Sequence, residues 1–388
     1  MTHVWKNCGE LNINKIEAIS LGGMTSKDFL RNYWQKRPLL IRNALPGFSG
    51  LLTRDELMKL ACNEDAQSRL VVQRNGKWHL THGPFSNNNL TKLPKKQWTL
   101  LVQDVNHFLP AARDLLSEFH FIPHARLDDL MVSYAPKGGG IGPHFDSYDV
   151  FLLQGIGSRR WQISAQQDDQ FIADAPLRIL KNFYPEQEWV LEAGDMLYLP
   201  PKYAHNGIAE DDCMTYSIGF RAPSHQELIT QFLVYLQDNV VTEGWYSDPD
   251  LQLQTHPSKI NTAMQSQVNS ILKKIKWNRS DIENFLGIYL SEPQSHVFFE
   301  QPERPMTPHI FQQQIEEKGI QLNLKSRILS GNNKFFINGE VYKVSATTYK
   351  ALVKLADNQE FSPSSNLDSA TNKILYQWYV SGYIMSKN

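Results

Sequence analysis

Between Arg126 and Arg221 the chain is a succession of short aromatic and β-branched runs, each ended by turn residues. Residues 129–134 alternate in part, and 148–154, 160–163, 196–199 and 215–220 follow as further runs. Turn-rich stretches at 137–143, 155–158 and 194–195 divide them. Few folds accept this rhythm. Strands so short and so regularly interrupted close into a sandwich or a barrel.

The flanks follow other periods. Upstream, 28–35 and 53–62 read as helices, the second opening on a Thr53-x-x-Glu56 capping box. Downstream, 227–295 reads as helical. Ser224-x-x-Glu227 precedes Leu228, Ile229, Phe232, Leu233 and Leu236, and Ser280-x-x-Glu283 precedes Phe285, Leu286, Tyr289 and Leu290. Apolar faces this broad need a partner, either the first domain or a second copy of the chain. The last part, 296–388, mixes helix and hairpin. Thr307-Pro308 opens a helix that Gly319 ends, Asn338-Gly339 suits a type I′ turn within 335–342, and helical patterns follow at 347–357 and 369–380. The expected division is 1–226, with a strand-rich middle; 227–295, helical; and 296–388, a winged-helix-like α+β domain. Direct nucleic-acid docking by that last domain is disfavoured, because its final helix lacks a dense basic stripe.

Bulk properties narrow the function. A formal charge of −1 over 388 residues excludes a molecule that binds polyanions with its whole surface. The three cysteines, Cys8, Cys62 and Cys213, match no metal or redox spacing and read as reduced thiols of a cytoplasmic protein. The first residues carry no signal-like apolar core, and no apolar run reaches the length of a membrane span.

The chemistry concentrates in Gly138-Gly139-Gly140-Ile141-Gly142-Pro143-His144-Phe145-Asp146. Residues two apart on an extended strand point the same way, so His144 and Asp146 share a face. His205, after the Pro200-Pro201 turn, is the candidate third ligand. Two imidazoles and a carboxylate form a facial triad that leaves cis positions for a chelating 2-oxo acid and O2. A structural zinc site would be closed and richer in sulfur. An isolated H-x-D is a weak signal. Here the strand-rich context, the second histidine and a nearby cation, Arg159, strengthen it. A phosphate-cradle reading of the glycines fails, since no Gly-Lys-Ser/Thr and no helix follow. The glycines instead suit a close backbone approach to a ligand or a barrel corner. His79 and His82 lie outside the strand-rich region and read as structural or substrate-side. Cys213 is given no catalytic role.

Several stretches together resemble the bacterial JmjC-domain ribosomal oxygenases, which hydroxylate an arginine of a large-subunit ribosomal protein. They are 34–39 (Trp-Gln-Lys-Arg-Pro-Leu), Ser68-Arg69-Leu70-Val71, His82-Gly83-Pro84-Phe85, Leu127-Asp128-Asp129-Leu130-Met131, the glycine run through Asp146, Asp149-Val150-Phe151, Glu192-x-Gly194-Asp195-x-Leu197-Tyr198-x-Pro200-Pro201, Tyr216-Ser217-x-Gly219-Phe220-Arg221-Ala222-Pro223 and Trp245-Tyr246-Ser247-Asp248-Pro249. The resemblance fades toward the C-terminus. It implies a double-stranded β-helix (cupin/JmjC), a homodimer formed through the helical region and a winged helix. It implies that His144, Asp146 and His205 bind Fe(II), and that Arg159, fifteen residues after His144, pairs with the distal carboxylate of 2-oxoglutarate. A guanidinium suits that task because it grips a carboxylate bidentately. Alternation favours Arg159 over Arg160, with Trp161 sharing the face of Arg159. Ser133 and Ser217 are either hydroxyl contacts to the same carboxylate or satisfied core hydroxyls. Asp129 and Met131 share the parity of Ser133. They face either a substrate arginine or solvent at a strand end.

Rival readings stand beside this one. A cupin-type metalloenzyme acting on a small molecule would not decarboxylate 2-oxoglutarate. A non-enzymatic docking protein would hold no metal. A histone demethylase would need a methyl-lysine cage, of which the sequence shows no sign.

Overall fold

The computed structural model describes residues 19–364 and 367–387; Cys8 and the N-terminal stretch searched for a signal lie outside them. The chain forms two compact units. One comprises the described residues of 1–222, 294–326 and 357–388, and the other 223–293 and 327–356.

The first unit carries twelve strands through residue 220: β1 (Leu39–Ile41), β2 (Ser68–Arg74), β3 (Lys77–His82), β4 (Trp98–Val102), β5 (Leu127–Ala135), β6 (His144–Phe145), β7 (Asp149–Gln154), β8 (Arg159–Ser164), β9 (Gln187–Leu191), β10 (Met196–Leu199), β11 (Ala204–Ala209) and β12 (Cys213–Phe220). They build an eight-stranded sheet, β1-β10-β7-β12-β5-β4-β2-β3, and a four-stranded sheet, β6-β11-β8-β9. Together these make the double-stranded β-helix.

β7 shows why the central runs look apolar throughout rather than alternating. Phe151 and Leu153 enter a large aromatic core shared with Phe29, Phe119, Tyr198 and Phe220. Val150 and Leu152 enter a second cluster with Trp161, Ile163 and Leu197. A strand buried on both faces has no polar face to show. In the aromatic core Phe29 meets Tyr198 edge-on at 5.0 Å, and Phe119 lies 4.9 Å from Phe151. Each such pair adds about 1 kcal/mol beyond its burial. Asp149, fully buried, accepts hydrogen bonds from the Tyr198 hydroxyl (2.6 Å), Gln35 Nε2 (2.8 Å) and Arg126 Nη2 (3.2 Å). That network ties the segment around Gln35 to β7.

The structure corrects several expectations. The stretch before Arg126 is not merely helical, since β1 to β4 widen the large sheet. Asn75 and Gly76, both at positive φ (50° and 72°), turn β2 into β3, the Asn-Gly hairpin signal. His79 and His82 therefore sit on β3, the sheet's edge strand. The first helix is Ser26–Asn32, capped by Thr25, rather than 28–35. Thr53 and Glu56 form the expected reciprocal box.

In the second unit, helices His225–Asn239, Thr262–Leu272 and Arg279–Ser291 accompany a three-stranded meander of Ile328–Gly331, Lys334–Ile337 and Glu340–Lys343. Ser224 caps the first helix as expected. Asn278 caps the third with Asp281, displacing the expected Ser280/Glu283 box. Glu283 instead accepts from the Asn332 backbone (2.9 Å) and pairs with Lys334 (3.2 Å). Residues 240–261 carry no helix or strand. Asn338 and Gly339, at φ 51° and 85°, make the expected hairpin turn. Helices Pro308–Lys318, Ala346–Asn358 and Ser369–Val380 match the C-terminal patterns closely. No helix among the described residues is long and apolar enough to cross a membrane.

Candidate metal centre and ligand pocket

β6 and β11 run antiparallel with His144 directly opposite His205. Cross-strand neighbours on one face lie within side-chain reach, and the two rings stand 4.2 Å apart. Asp146 follows the two-residue strand. Its Oδ1 lies 3.8 Å from His144 Nε2 and its Oδ2 3.4 Å from His205 Nε2. The three donor atoms all lie within 4.8 Å of one another. Each Nδ1 is engaged by a backbone carbonyl: His144 with Gly142 O at 2.9 Å, His205 with Tyr203 O at 3.0 Å. A carbonyl only accepts, so Nδ1 carries a proton in each ring and Nε2 is the nitrogen turned toward Asp146. This is the supporting arrangement of metal-binding histidines. Nitrogen and oxygen donors with no sulfur suit a divalent transition metal of the iron class.

The electrostatics are those of a tight cluster. Burial, and then the neighbouring His205, pushes His144 down to about 4. Burial alone would raise the Asp146 carboxyl, but the histidines and the Tyr148 hydroxyl outweigh it and bring it to about 2. His205 is opposed by burial yet raised overall by the Asp146 carboxylate.

The β8–β11 register extends the site inward. His205 pairs with Ile163, Gly207 with Trp161, and Ala209 with Arg159. Arg159 is 4 % exposed, and its Nε and Nη2 have no hydrogen-bond partner. A buried cation without a counter-charge is costly, so this guanidinium fits a site for an anionic ligand. Arg160 points the other way and pairs with Glu210 at the surface, as alternation required.

A cavity of about 220 Å³ joins these groups. The ligand candidates and Arg159 line it from the small sheet, and Ser133, Ser217 and Met131 line it from the large one. Asp129 lies two residues before Met131, where the β5–β12 register shifts, and is not part of the cavity wall. Its Oδ2 accepts from the Asp104 backbone N–H at 3.3 Å. Sequence reasoning passed over Tyr148 and Arg69. Tyr148, in the bend just before β7, sets its hydroxyl beside the Asp146 carboxylate. Arg69 enters from β2, where its Nη2 rests 3.8 Å from Met131 Sδ. The stretch 68–71 helps carry the resemblance, but β2 itself was not anticipated and no role was read for Arg69.

The glycine run answers to neighbouring protein atoms. A Cβ on Gly140 would lie 2.5 Å from Gly207 O, and one on Gly142 would lie 3.0 Å from Ile179. Gly138 and Gly142 also adopt positive φ (74° and 81°). The close approach is therefore to β11 and to the loop after β8.

Comparison with known proteins agrees with this geometry. Residues 114–228 match the JmjC domain family and residues 274–385 match the ROXA-like winged helix family. The chain is 34 % identical to the ribosomal protein uL16 3-hydroxylase of Escherichia coli (strain K12), over 85 % of this chain and 88 % of that one. It is 42 % identical to a probable ribosomal oxygenase of Haemophilus influenzae, over 59 % of this chain and 56 % of the relative. The X-ray structure of E. coli ycfD superposes with a TM-score of 0.83 at 31 % identity, covering 94 % of this chain and 98 % of the other. The same ribosomal oxygenase in complex with cobalt and 2-oxoglutarate superposes at 0.81, with 31 % identity and coverage of 94 % and 99 %. By sequence along most of its length and by structure, the chain belongs to the JmjC-domain ribosomal oxygenases.

Proposed function

We propose that this protein hydroxylates an arginine side chain of a large-subunit ribosomal protein, using Fe(II), 2-oxoglutarate and O2. One observation carries the reading: a single cavity holds both a two-histidine, one-aspartate donor set and a buried, unpartnered guanidinium. His144, Asp146 and His205 would hold the metal, and Arg159 the distal carboxylate of the keto acid, with Ser133 and Ser217 as supporting hydroxyls. When bound, the metal and keto acid would activate O2, the oxidant, one oxygen atom going to the substrate carbon as C–OH and the other to the keto acid, which would leave as succinate and CO2.

The protein's own residues position and exclude. The carbonyls of Gly142 and Tyr203 hold both imidazoles in the tautomer that presents Nε2. Arg159, opposite Ala209, lies four register positions and so two same-face rungs from His205 along the small sheet, where it would fix the far end of a bound diacid. Leu101, Val150 and Leu152 keep the cavity wall apolar against water. Met131 on the wall and Asp129 at the rim are the residues proposed to meet the substrate guanidinium, the acid by charge.

The domain reading follows: 1–226 catalytic, 227–295 dimerising and 296–388 winged-helix-like. A homodimer is supported by exposed apolar side chains on the helical segment, among them Ile229 (55 %), Leu233 (61 %) and Ile282 (42 %). Action on a ribosomal protein implies work in the cytoplasm.

The test is incubation of the protein with Fe(II), 2-oxoglutarate and the uL16 protein, followed by mass spectrometry of the target. Gain of one oxygen on an arginine supports the proposal. Decarboxylation of 2-oxoglutarate with no modified ribosomal protein would leave the chemistry and remove the substrate. No decarboxylation at all would favour a small-molecule cupin enzyme.

A further inference from the structure

Between the metal candidates and Arg159 lies one further inward-facing rung. Trp161, 5 % exposed, occupies it opposite Gly207. The Trp161 ring stands 5.9 Å from the His205 ring on one side. Its centroid is 5.8 Å from Arg159 Cζ on the other. The indole is thus midway between the two anchors of the pocket. Successive same-face residues on a strand are about 7 Å apart, so this rung flanks the middle of any ligand that reaches from His205 to Arg159. Its Nε1 is buried and has no hydrogen-bond partner in the protein. An indole N–H ordinarily finds one when buried.

Gly207 explains how the indole fits. A Cβ at 207 would lie 2.7 Å from Trp161 Cη2 and Cζ3 and 3.0 Å from Cε3. The Cε3–Cζ3–Cη2 side of the benzo ring therefore packs against bare backbone at 207. An alanine there would drive the indole off β11.

We propose that the Trp161–Gly207 rung is a specificity gauge for the keto acid: the indole N–H donates to an oxygen of a bound 2-oxo diacid, and glycine at 207 sets the width left for its carbon chain. This rests on the reading of the pocket as a 2-oxoglutarate site. Trp161 is then a ligand contact, distinct from the charge contact of Arg159.

Binding, rather than turnover, tests it. Titration calorimetry on the full chain loaded with Mn(II) measures affinity for 2-oxoglutarate and for its one-carbon-longer and one-carbon-shorter homologues, with Mn(II) affinity measured separately. Trp161→Phe is expected to weaken 2-oxoglutarate binding about tenfold, the scale of one lost hydrogen bond, with Mn(II) affinity within about twofold of the parent. Gly207→Ala is expected to weaken binding at least as much and to change the preference among the three diacids. Unchanged 2-oxoglutarate affinity in Trp161→Phe overturns the proposal, and this variant decides the matter if Gly207→Ala fails to fold. Arg159→Ala separates the underlying reading. If it binds the diacid like the parent, the pocket assignment fails; if it loses binding while Trp161→Phe does not, only the gauge fails.

Discussion

Gly140 passes so close beneath Gly207 that a Cβ on Gly140 would lie 2.5 Å from the Gly207 carbonyl oxygen. The glycine run before His144 thus presses the ligand-bearing loop onto β11, where His205 resides. Gly140→Ala is expected to cost about 1–3 kcal/mol, the range for an overpacked site. Urea denaturation of the folded variant measures it, and stability equal to the parent's would show that the loop has room to move.

Asp146→Ala should abolish turnover and weaken metal binding by more than about 100-fold, the upper range for losing a mere supporting group. Two histidines remain, but they hold a divalent ion without its compensating charge. Metal content after dialysis, compared with the parent, gives the answer. Full retention of metal would take Asp146 out of the donor set.

Arg159 and Arg160 are adjacent yet sit in opposite environments, one buried and unpartnered, the other paired with Glu210. Arg159→Ala is expected to raise the 2-oxoglutarate requirement by about 100-fold, in keeping with a lost buried charge pair. Arg160→Ala should leave that requirement near the parent's. The concentration dependence of 2-oxoglutarate decarboxylation compares them, and the opposite ranking would exchange their roles.

Asp149 supplies a pH test away from the metal site. Burial raises its carboxyl above the ordinary 3.8, although hydrogen bonds from Tyr198 and Gln35 and the Arg126 charge work against the rise. Between the unfolded and folded values the native state binds more protons, so this group's contribution to stability falls as pH rises through that window. It is fully present below the unfolded value and lost above the folded one. Asp149→Asn removes the titration. The parent's advantage over the variant should therefore shrink as pH rises from below about 4 toward neutral. Urea midpoints across that range measure it, and an advantage that grows with pH would reverse the sign argued here.

Titration of thermal stability with Mn(II) completes the set. A metal that binds only the folded chain raises the melting temperature with concentration. The parent is expected to show this rise and Asp146→Ala to lack it. Equal rises would place the ion elsewhere.

Much of the site follows from period two alone. His144 and Asp146 share a face because they are two apart on extended chain, and the same parity puts Arg159 and Trp161 inward and Arg160 outward. Tyr148 lies in a bend after that series, so period two did not mark it. The helix caps at Thr53, Ser224 and Thr307 and the turn at Asn338-Gly339 are equally local and equally legible. The cap at Asn278 was missed because Ser280 and Glu283 imitate the same spacing. What the linear pattern did not contain is register between distant strands. The pairing of His205 with His144, the addition of β1 to β4 to the large sheet, the entry of Arg69 and the seating of Trp161 on Gly207 all come from packing. Side-chain alternation is set within a strand by its own backbone, whereas which strands lie side by side is decided by the burial of both sheets' faces at once.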